Sequence, residues 1–263
     1  MELLAPSHWK CVDIISDLHL QRAQAPTVAA WQRYLQTTCA DAVLILGDLF
    51  EVWVGDDVLH DPSSFEAECA QALRAASQRL ALYLMHGNRD FLLDAAFTQA
   101  SGCTLLDDPS VLSFGAQRWL LTHGDALCLA DAPYMEFRAT VRSAAWQNDF
   151  LARPLQEREQ IARGLRMQSE TRKKEEKNWI DIDPDAARAL LAQHRATHLI
   201  HGHTHHPATQ WLSQTADRMV LSDWDLAAQP PRAEVLRLLL DPTGAAAGVQ
   251  RITPLDAAAT AAG

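Results

Sequence analysis

The sequence predicts an α/β fold, a largely parallel β-sheet covered by helices, with its ligand site at the carboxyl ends of the strands. Two observations carry this reading. Five short apolar runs each stop abruptly at a burst of polar residues, and helix-like stretches with spaced apolar residues separate most neighbouring pairs. Repeated strand–loop–helix units build parallel sheets, because a parallel neighbour is reached only through a long crossover.

Taken in order, Val12-Asp-Ile-Ile15 ends at Ser-Asp-Leu-His, and a helix over Thr27–Thr38 leads on to Ala42-Val-Leu-Ile-Leu46, which ends at Gly-Asp-Leu-Phe. A helix over Ser64–Gln78 precedes Leu80–Met85, which ends at His-Gly-Asn-Arg-Asp. Trp119–Thr122 runs into His-Gly-Asp-Ala-Leu. Thr197–Ile200, behind a helix over Pro184–His194, runs into His-Gly-His-Thr-His-His. Runs this short are ambiguous one by one; their common format and the helical spacing between them decide. Residues 133–180 break the rhythm with WQNDFLARPLQEREQIARGL and RMQSETRKKEEKNWI, helical in composition and rich in Arg and Lys. The expected organisation is a core of residues 1–132 and 181–256, a helical insertion over 133–180, and a flexible tail over 257–263. A possible strand lies at Val249–Thr253, in a low-complexity C-terminal region.

The chain has 263 residues, 48% hydrophobic and 21% charged, an ordinary globular balance with ample material for a core. Its formal charge of −10 argues against nucleic-acid binding, which uses a basic face. The five cysteines, Cys11, Cys39, Cys69, Cys103 and Cys128, are scattered and form no Cys-x-x-Cys pair, the usage of a reduced, cytoplasmic protein. MELLAPSHWKCVDII lacks the basic-then-apolar pattern of a signal peptide. No apolar run approaches the ~20 residues of a membrane span, so any membrane contact is expected to be peripheral. No obligate protein partner is evident.

Four of the 11 histidines fall within residues 201–206. Imidazoles two residues apart can converge on one ion, but a metal site needs partners elsewhere, and the other four polar bursts offer them. Together the bursts hold Asp17, His19, Asp48, Asn88, His123, His203 and His205. Mixed nitrogen and oxygen ligation suits Mn²⁺, Fe or Zn²⁺ better than Mg²⁺ or Ca²⁺. Seven ligands exceed the need of one ion with an open position and suffice for two if a carboxylate bridges; Asp48, short and beside a glycine, is the natural bridge. Two divalent ions against two carboxylates leave about two positive charges facing the cleft, which attracts phosphate and can activate a water for in-line attack on phosphorus.

The ordered pattern D-x-H, G-D, G-N-H/R-D/E, H and G-H-x-H, spread over residues 12–206, resembles that of the calcineurin-like metallophosphoesterases. The resemblance implies a sandwich of two β-sheets flanked by helices, with the insertion as a lid. It implies one metal on Asp17, His19, Asp48 and His205, and a second on Asp48, Asn88, His123 and His203. Where many members carry an acid-catalytic histidine after the asparagine, this chain has Arg89. GDLFEVWVGDD, HGNRDFLL and THGDALCLAD are similar to one branch, the UDP-2,3-diacylglucosamine diphosphatases of lipid A synthesis. This implies a Mn²⁺-dependent cleavage to UMP and 2,3-diacylglucosamine 1-phosphate, by a peripheral protein of the inner membrane's cytoplasmic face. An arginine suits a diphosphate, since its fork binds two oxygens and stays charged. The resemblance further implies catalytic roles for Asp48, Asn88, Arg89 and His203. Substrate contacts are implied at Asn88, Arg89, Asp131, Ser169, Lys173, Lys177 and His203. The branch's S-x-x-x-N-x-x-K is altered here, with the asparagine replaced and the run to Ile180 one residue shorter, so the lysine positions rest on the basic run alone.

Blander roles stand beside these. His201 is expected to be structural or to support a ligand, His206 to be a loop residue, His86 to pack, and Asp125 to orient His123. Asp56 and Asp57 fit a solvated turn or a support near the site, and Trp53, Trp146 and Phe150 fit core or acyl contacts. The alternating charges of RKKEEK fit a solvated helix face or a membrane anchor. Two other functions compete: a phosphoesterase acting on a nucleotide, phosphoprotein or other diphosphate, and a metal-binding scaffold that has lost catalysis. Arg89 and the apolar insertion favour a lipid diphosphate over the first, and the complete ligand set disfavours the second.

Overall fold

The computed structural model describes residues 1–175, 180–241, 243–244 and 247–258, with backbone alone for 168–175 and for 247. The strands are β1 (Glu2–Leu4), β2 (Cys11–Ile15), β3 (Ala42–Leu46), β4 (Ala81–Met85), β5 (Thr104–Leu106), β6 (Ser110–Phe114), β7 (Gln117–Thr122), β8 (His198–His201), β9 (Ala208–Trp211), β10 (Asp217–Val220), β11 (Val235–Leu240) and β12 (Ala247–Ile252). The helices are α1 (Ala25–Thr37), α2 (Phe65–Ser77), α3 (Ala95–Ser101), α4 (Ala132–Val141), α5 (Ala144–Leu151), α6 (Leu155–Glu175) and α7 (Pro184–Gln193).

The five apolar runs are all strands, but they do not share one sheet. β2, β3 and β4 lie in a sheet of order β12-β11-β2-β3-β4-β5, and β7 and β8 in a second of order β1-β6-β7-β8-β10-β9. The single parallel sheet read from the strand–helix rhythm is therefore corrected to two mixed sheets, the arrangement implied by the family resemblance. The rhythm breaks after β5, where residues 107–109 carry the chain into the second sheet, and β6–β7 follow as an antiparallel hairpin turning at Gly115 (φ 62).

Both faces of each central strand are covered, which is why these strands read as unbroken apolar runs. Val12, Ile14, Ala42, Leu44 and Leu46 point between the sheets against Trp119, Leu121 and Ile200. Their neighbours Ile15, Val43 and Ile45 point outward to a layer holding Trp31, Leu35 and Leu73 of α1 and α2. Leu120 and Leu199 face outward from the second sheet to Ala187 and Leu191 of α7. Because the two sheets lie face to face, the carboxyl ends of β2, β3, β4, β7 and β8 gather along one edge, and the five polar bursts meet there.

The described part of residues 133–180 holds α5, α6 and all of α4 but its first residue, Ala132. These helices do not stand apart from the core. Phe150 is buried in the outer core layer of the first sheet, and Trp146, Leu155, Ile161 and Ala162 pack against it. Arg158, 2% exposed, donates to the Val54 carbonyl and pairs with Asp57. Of the predicted substrate contacts in this segment, Lys177 lies outside the described residues, as does most of the tail (259–263). Ser169 and Lys173 are placed only as backbone of α6.

Candidate metal centre

Each ligand candidate sits in the first residues after a strand, and the backbone there is unusual. Of the six described non-glycine residues with positive φ, five are Asp17, His19, Asp48, His203 and His205, at 54, 48, 52, 64 and 56°. Left-handed backbone is disfavoured for side chains with a Cβ and persists where the surrounding structure enforces it, most often at functional sites. The motif glycines permit this crowding. A Cβ on Gly87 would lie 2.1 Å from Asp48 Oδ1, and one on Gly202 would lie 2.3 Å from Asp17 Oδ2. Gly87→Ala is therefore expected to displace Asp48, at an overpacking cost of ~1–3 kcal/mol. Metal analysis should find fewer than two bound equivalents and calorimetry a lower Tm; full loading with unchanged melting would contradict this geometry.

Two groups of donors emerge, Asp17 with His19 and His205, and Asp17 with Asp48 and His123. His205 Nε2 stands 3.1 Å from Asp17 Oδ1 and 3.3 Å from His19 Nε2. On the other side, Asn88 Oδ1 stands 3.0 Å from His123 Nε2 and 2.9 Å from His203 Nδ1. Asp48 spans the two: Oδ1 is 3.8 Å from His123 Nε2 and Oδ2 is 3.9 Å from His19 Nδ1. Asp17 also reaches both groups, but its Oδ2 already accepts from Ser16 Oγ at 2.7 Å and the His203 N–H at 2.9 Å. All seven predicted ligands thus come together, and Asp48 offers a separate oxygen to each side.

The charge balance fits divalent cations. Asp17, Asp48, Asp90 and Asp125 are all at most 1% exposed, a concentration of buried carboxylates that needs positive charge nearby. Burial pushes the Asp48 carboxyl up, against the pull of His123 and Arg89. Burial would lower the His123 ring, but the carboxylates of Asp48, Asp17 and Asp125 outweigh it and raise it to about 9. A site that pulls a proton this firmly onto an imidazole supplies the field that a metal ion would satisfy. His19 Nδ1 is buried without a hydrogen bond among the described residues.

Supporting residues fix the donors. Asp90 accepts from the backbone N–H groups of Leu49, Gly87 and Asp48 at 2.7, 2.8 and 3.3 Å. Burial, and then the Asp48 charge, raise its carboxyl to about 6. His123 Nδ1 donates to the Leu46 carbonyl at 2.9 Å, which leaves Nε2 for a metal. The expectation that Asp125 orients this ring is thereby corrected. Asp125 Oδ2 instead accepts from Tyr134 Oη at 2.5 Å and Arg138 Nε at 2.8 Å, tying α4 to the core. His86 Nε2 donates to the Leu93 carbonyl at 2.7 Å. Asp56 accepts from Trp53 Nε1 at 3.1 Å and the Phe97 N–H at 2.9 Å, so it supports the loop. Asp131 Oδ1 caps α4 through the Tyr134 N–H at 3.0 Å. His206 is exposed.

His201 is fully buried and donates from Nδ1 to the Gly202 carbonyl at 2.9 Å. Burial, helped by Arg218, lowers its ring from 6.5 to about 4. The unfolded chain takes up a proton that the fold resists. Stability carried by the neutral ring is complete above about pH 6.5 and is lost as pH falls toward 4. The Tm is expected to drop across this window, and His201→Gln to flatten that part of the profile; an unchanged profile would remove His201 as the cause.

Arg89 lies at the junction between this centre and the insertion. Its N–H donates to Asp48 Oδ1 at 2.9 Å, its Nε is 3.3 Å from Asp48 Oδ2, and its Nη1 is 2.7 Å from Glu51 Oε1. Glu51 also meets Arg166 of α6, Nε to Oε1 at 2.5 Å. Glu51, Tyr134 and Arg166 were not marked in the sequence. Glu51 sits inside the quoted GDLFEVW motif, but its significance depends on an arginine 115 residues later. From Asn88 and Arg89 a cavity of about 340 Å³ extends under the insertion, lined by Trp53, Phe91, Leu92, Phe137, Trp146, Phe150, Ala162 and Leu165. Trp146 and Phe150 stack at 4.7 Å. Trp53, Trp146 and Phe150 thus serve both readings, packed against the core and facing an apolar cavity.

A two-sheet sandwich carrying paired donor groups at its strand ends defines a metallophosphoesterase, and the sequence model described as calcineurin-like phosphoesterase matches residues 12–207. Among similar curated proteins is the UDP-2,3-diacylglucosamine hydrolase of Chromobacterium violaceum, 46% identical over 81% of this chain and 90% of its own. The protein of the same name from Chromohalobacter salexigens is 44% identical over 80% of this chain and 87% of its own. That from Ralstonia nicotianae is 42% identical over 86% and 88%. The chain belongs to the calcineurin-like phosphoesterase family, within the branch formed by these hydrolases.

Proposed function

We propose that this protein hydrolyses the diphosphate of UDP-2,3-diacylglucosamine, releasing UMP and 2,3-diacylglucosamine 1-phosphate, in lipid A biosynthesis. One observation carries the reading: the paired donor groups open through Asn88 and Arg89 directly into an apolar cavity. A nucleotide phosphoesterase has no use for such a cavity, whereas an acyl chain joined to a diphosphate would lie along it. The names of the similar proteins support the same substrate.

In this reading Asp17, His19, Asp48 and His205 would hold one divalent ion, and Asp48, Asn88, His123 and His203 the other, as Mn²⁺. Bound there, the ions would supply Lewis acidity toward phosphoryl oxygens and lower the pKa of water for attack on phosphorus. Asp48 keeps the two positions in register. Asn88 and His203 flank the reacting phosphoryl group, and Arg89 binds its oxygens and neutralises charge that builds toward the leaving phosphate. Arg89 is no proton donor, and a phosphate leaving group needs less protonation than an alkoxide. The proposed contacts at Asp131, Ser169, Lys173 and Lys177 grip the nucleotide and sugar.

Location on the cytoplasmic face of the inner membrane is part of the same proposal. No helix among the described residues is long and apolar enough to cross a membrane. Leu129, Phe137, Leu151 and Met167, on or beside the insertion, are 48%, 38%, 42% and 65% exposed, as a face that takes a lipid from a bilayer would require. The test is UMP release by purified protein with Mn²⁺, from UDP-2,3-diacylglucosamine and separately from UDP-glucose. Rapid release from the first alone is expected; equal rates would point to a general phosphoesterase, and no release from either would overturn the reading.

A further inference from the structure

We propose that Glu51 is a positioning residue, holding Arg89 and Arg166 converged at the mouth of the apolar cavity beside the metal edge. The proposal rests on the diphosphatase reading above. Glu51 lies in the loop after β3 with its side chain 18% exposed. Its Oε1 accepts from Arg89 Nη1 at 2.7 Å and from Arg166 Nε at 2.5 Å. Its Oε2 stands 3.6 Å from His19 Nδ1. One carboxylate therefore meets an arginine of a core loop, an arginine of an insertion helix and a proposed metal ligand.

Each contact has a physical consequence. Two guanidinium groups aimed at one cavity repel each other, and a carboxylate between them removes that repulsion while fixing both forks. Long side chains fixed in advance lose less freedom when they grip a phosphate. Glu51 Oε2 also places negative charge 3.6 Å from the Nδ1 edge of His19, beyond hydrogen-bond reach, which favours cation binding at this edge of the centre. Glu51 also joins α6 to the core loop, so the wall of the cavity and the metal edge keep one relative position. The opposite role is a carboxylate that occupies the seat of the diphosphate and must be expelled; its removal would then improve substrate capture.

The test uses the full chain with Mn²⁺ in five forms: wild type, Glu51→Gln, Glu51→Ala, Arg166→Ala and the double Glu51→Ala/Arg166→Ala. Glu51→Gln keeps the size and one acceptor, so it guards against a fold lost with alanine. Loss of an outer partner of a metal site typically costs ~10–100-fold in metal affinity or activity, and that range is expected for Glu51→Ala in kcat/KM and in Mn²⁺ affinity. Glu51→Gln should fall between it and wild type. In the Arg166→Ala background the Glu51 effect on kcat/KM should shrink, as for groups acting through one contact. Unchanged or raised kcat/KM in folded, metal-loaded Glu51→Gln, or additive effects in the double variant, would overturn the proposal. Two readouts stand without the substrate: Mn²⁺ affinity, and hydrogen exchange over Leu155–Met167, which should rise in Glu51→Ala. Should wild type release no UMP, the diphosphatase reading fails, and unchanged affinity and exchange would separately overturn the role of Glu51.

Discussion

Asp48→Asn is expected to lower turnover by at least ~10³-fold, the scale of losing a principal electrostatic element of catalysis. Asp48 is 1% exposed and turns one oxygen toward His123 and the other toward His19. Asparagine keeps the shape but replaces one oxygen with an amide nitrogen, which cannot ligate, and removes the charge shared by both metal positions. The measurements are UMP release, bound metal per chain, and Tm with and without chelator. Near-normal turnover with two bound equivalents would sink the bridging role.

The metal edge was legible because its donors are local. Each stands within four residues of a strand end, and strand ends show as apolar runs that stop. Sheet membership was not legible from the runs, because β2, β3, β7 and β8 are all covered on both faces and their composition is the same in either sheet. What separates them is the link of residues 107–109 from β5 to β6, and the hairpin β6–β7 that follows has Gly115 in its turn but no second marker. The short strands β1, β5, β9 and β10 carry too few residues for a period to register.

Supporting interactions were harder still, because their partners are remote in sequence. Asp125 looked like the partner of His123 two residues earlier, yet a backbone carbonyl from β3 takes that ring and Asp125 holds Tyr134 and Arg138 instead. Glu51 is unremarkable until α6 brings Arg166 to it. Composition revealed that 133–180 is helical and apolar, but not that Phe150 belongs to the outer core layer of the first sheet. That packing bears on experiment, since excising the insertion would strip cover from Trp53, Phe91 and Leu92 along with the cavity.

A substitution that fills the cavity is the cleaner test of lipid selectivity, and Ala162→Trp is expected to abolish most of it. Ala162 and Leu165 of α6 line the cavity together with Trp53 and Phe91. Ala162 is partly buried against the core layer and borders the cavity, so an indole directed into the cavity is expected to keep the fold, with the Tm measured to check it. The loss falls on the acyl chain. Burial of each methylene is worth ~0.8 kcal/mol in full transfer, and a chain of about ten carbons retains several kcal/mol after the costs of ordering it. Excluding most of one chain should therefore lower kcat/KM for the diacylated substrate by ~100-fold or more, at about 1.4 kcal/mol per factor of ten. The same quantity for an unacylated UDP-sugar should hardly change, because Asp48, Asn88 and His203 are untouched. The informative measurement is the ratio of the two kcat/KM values, with metal content checked in parallel. An unchanged ratio in a folded, metal-loaded variant would place the acyl chains elsewhere and weaken the lipid reading while leaving phosphoester hydrolysis intact. A fall in both values together would mean instead that the indole disturbs Arg89, and Ala162→Leu, which narrows the cavity without reaching its mouth, would then show the acyl effect alone.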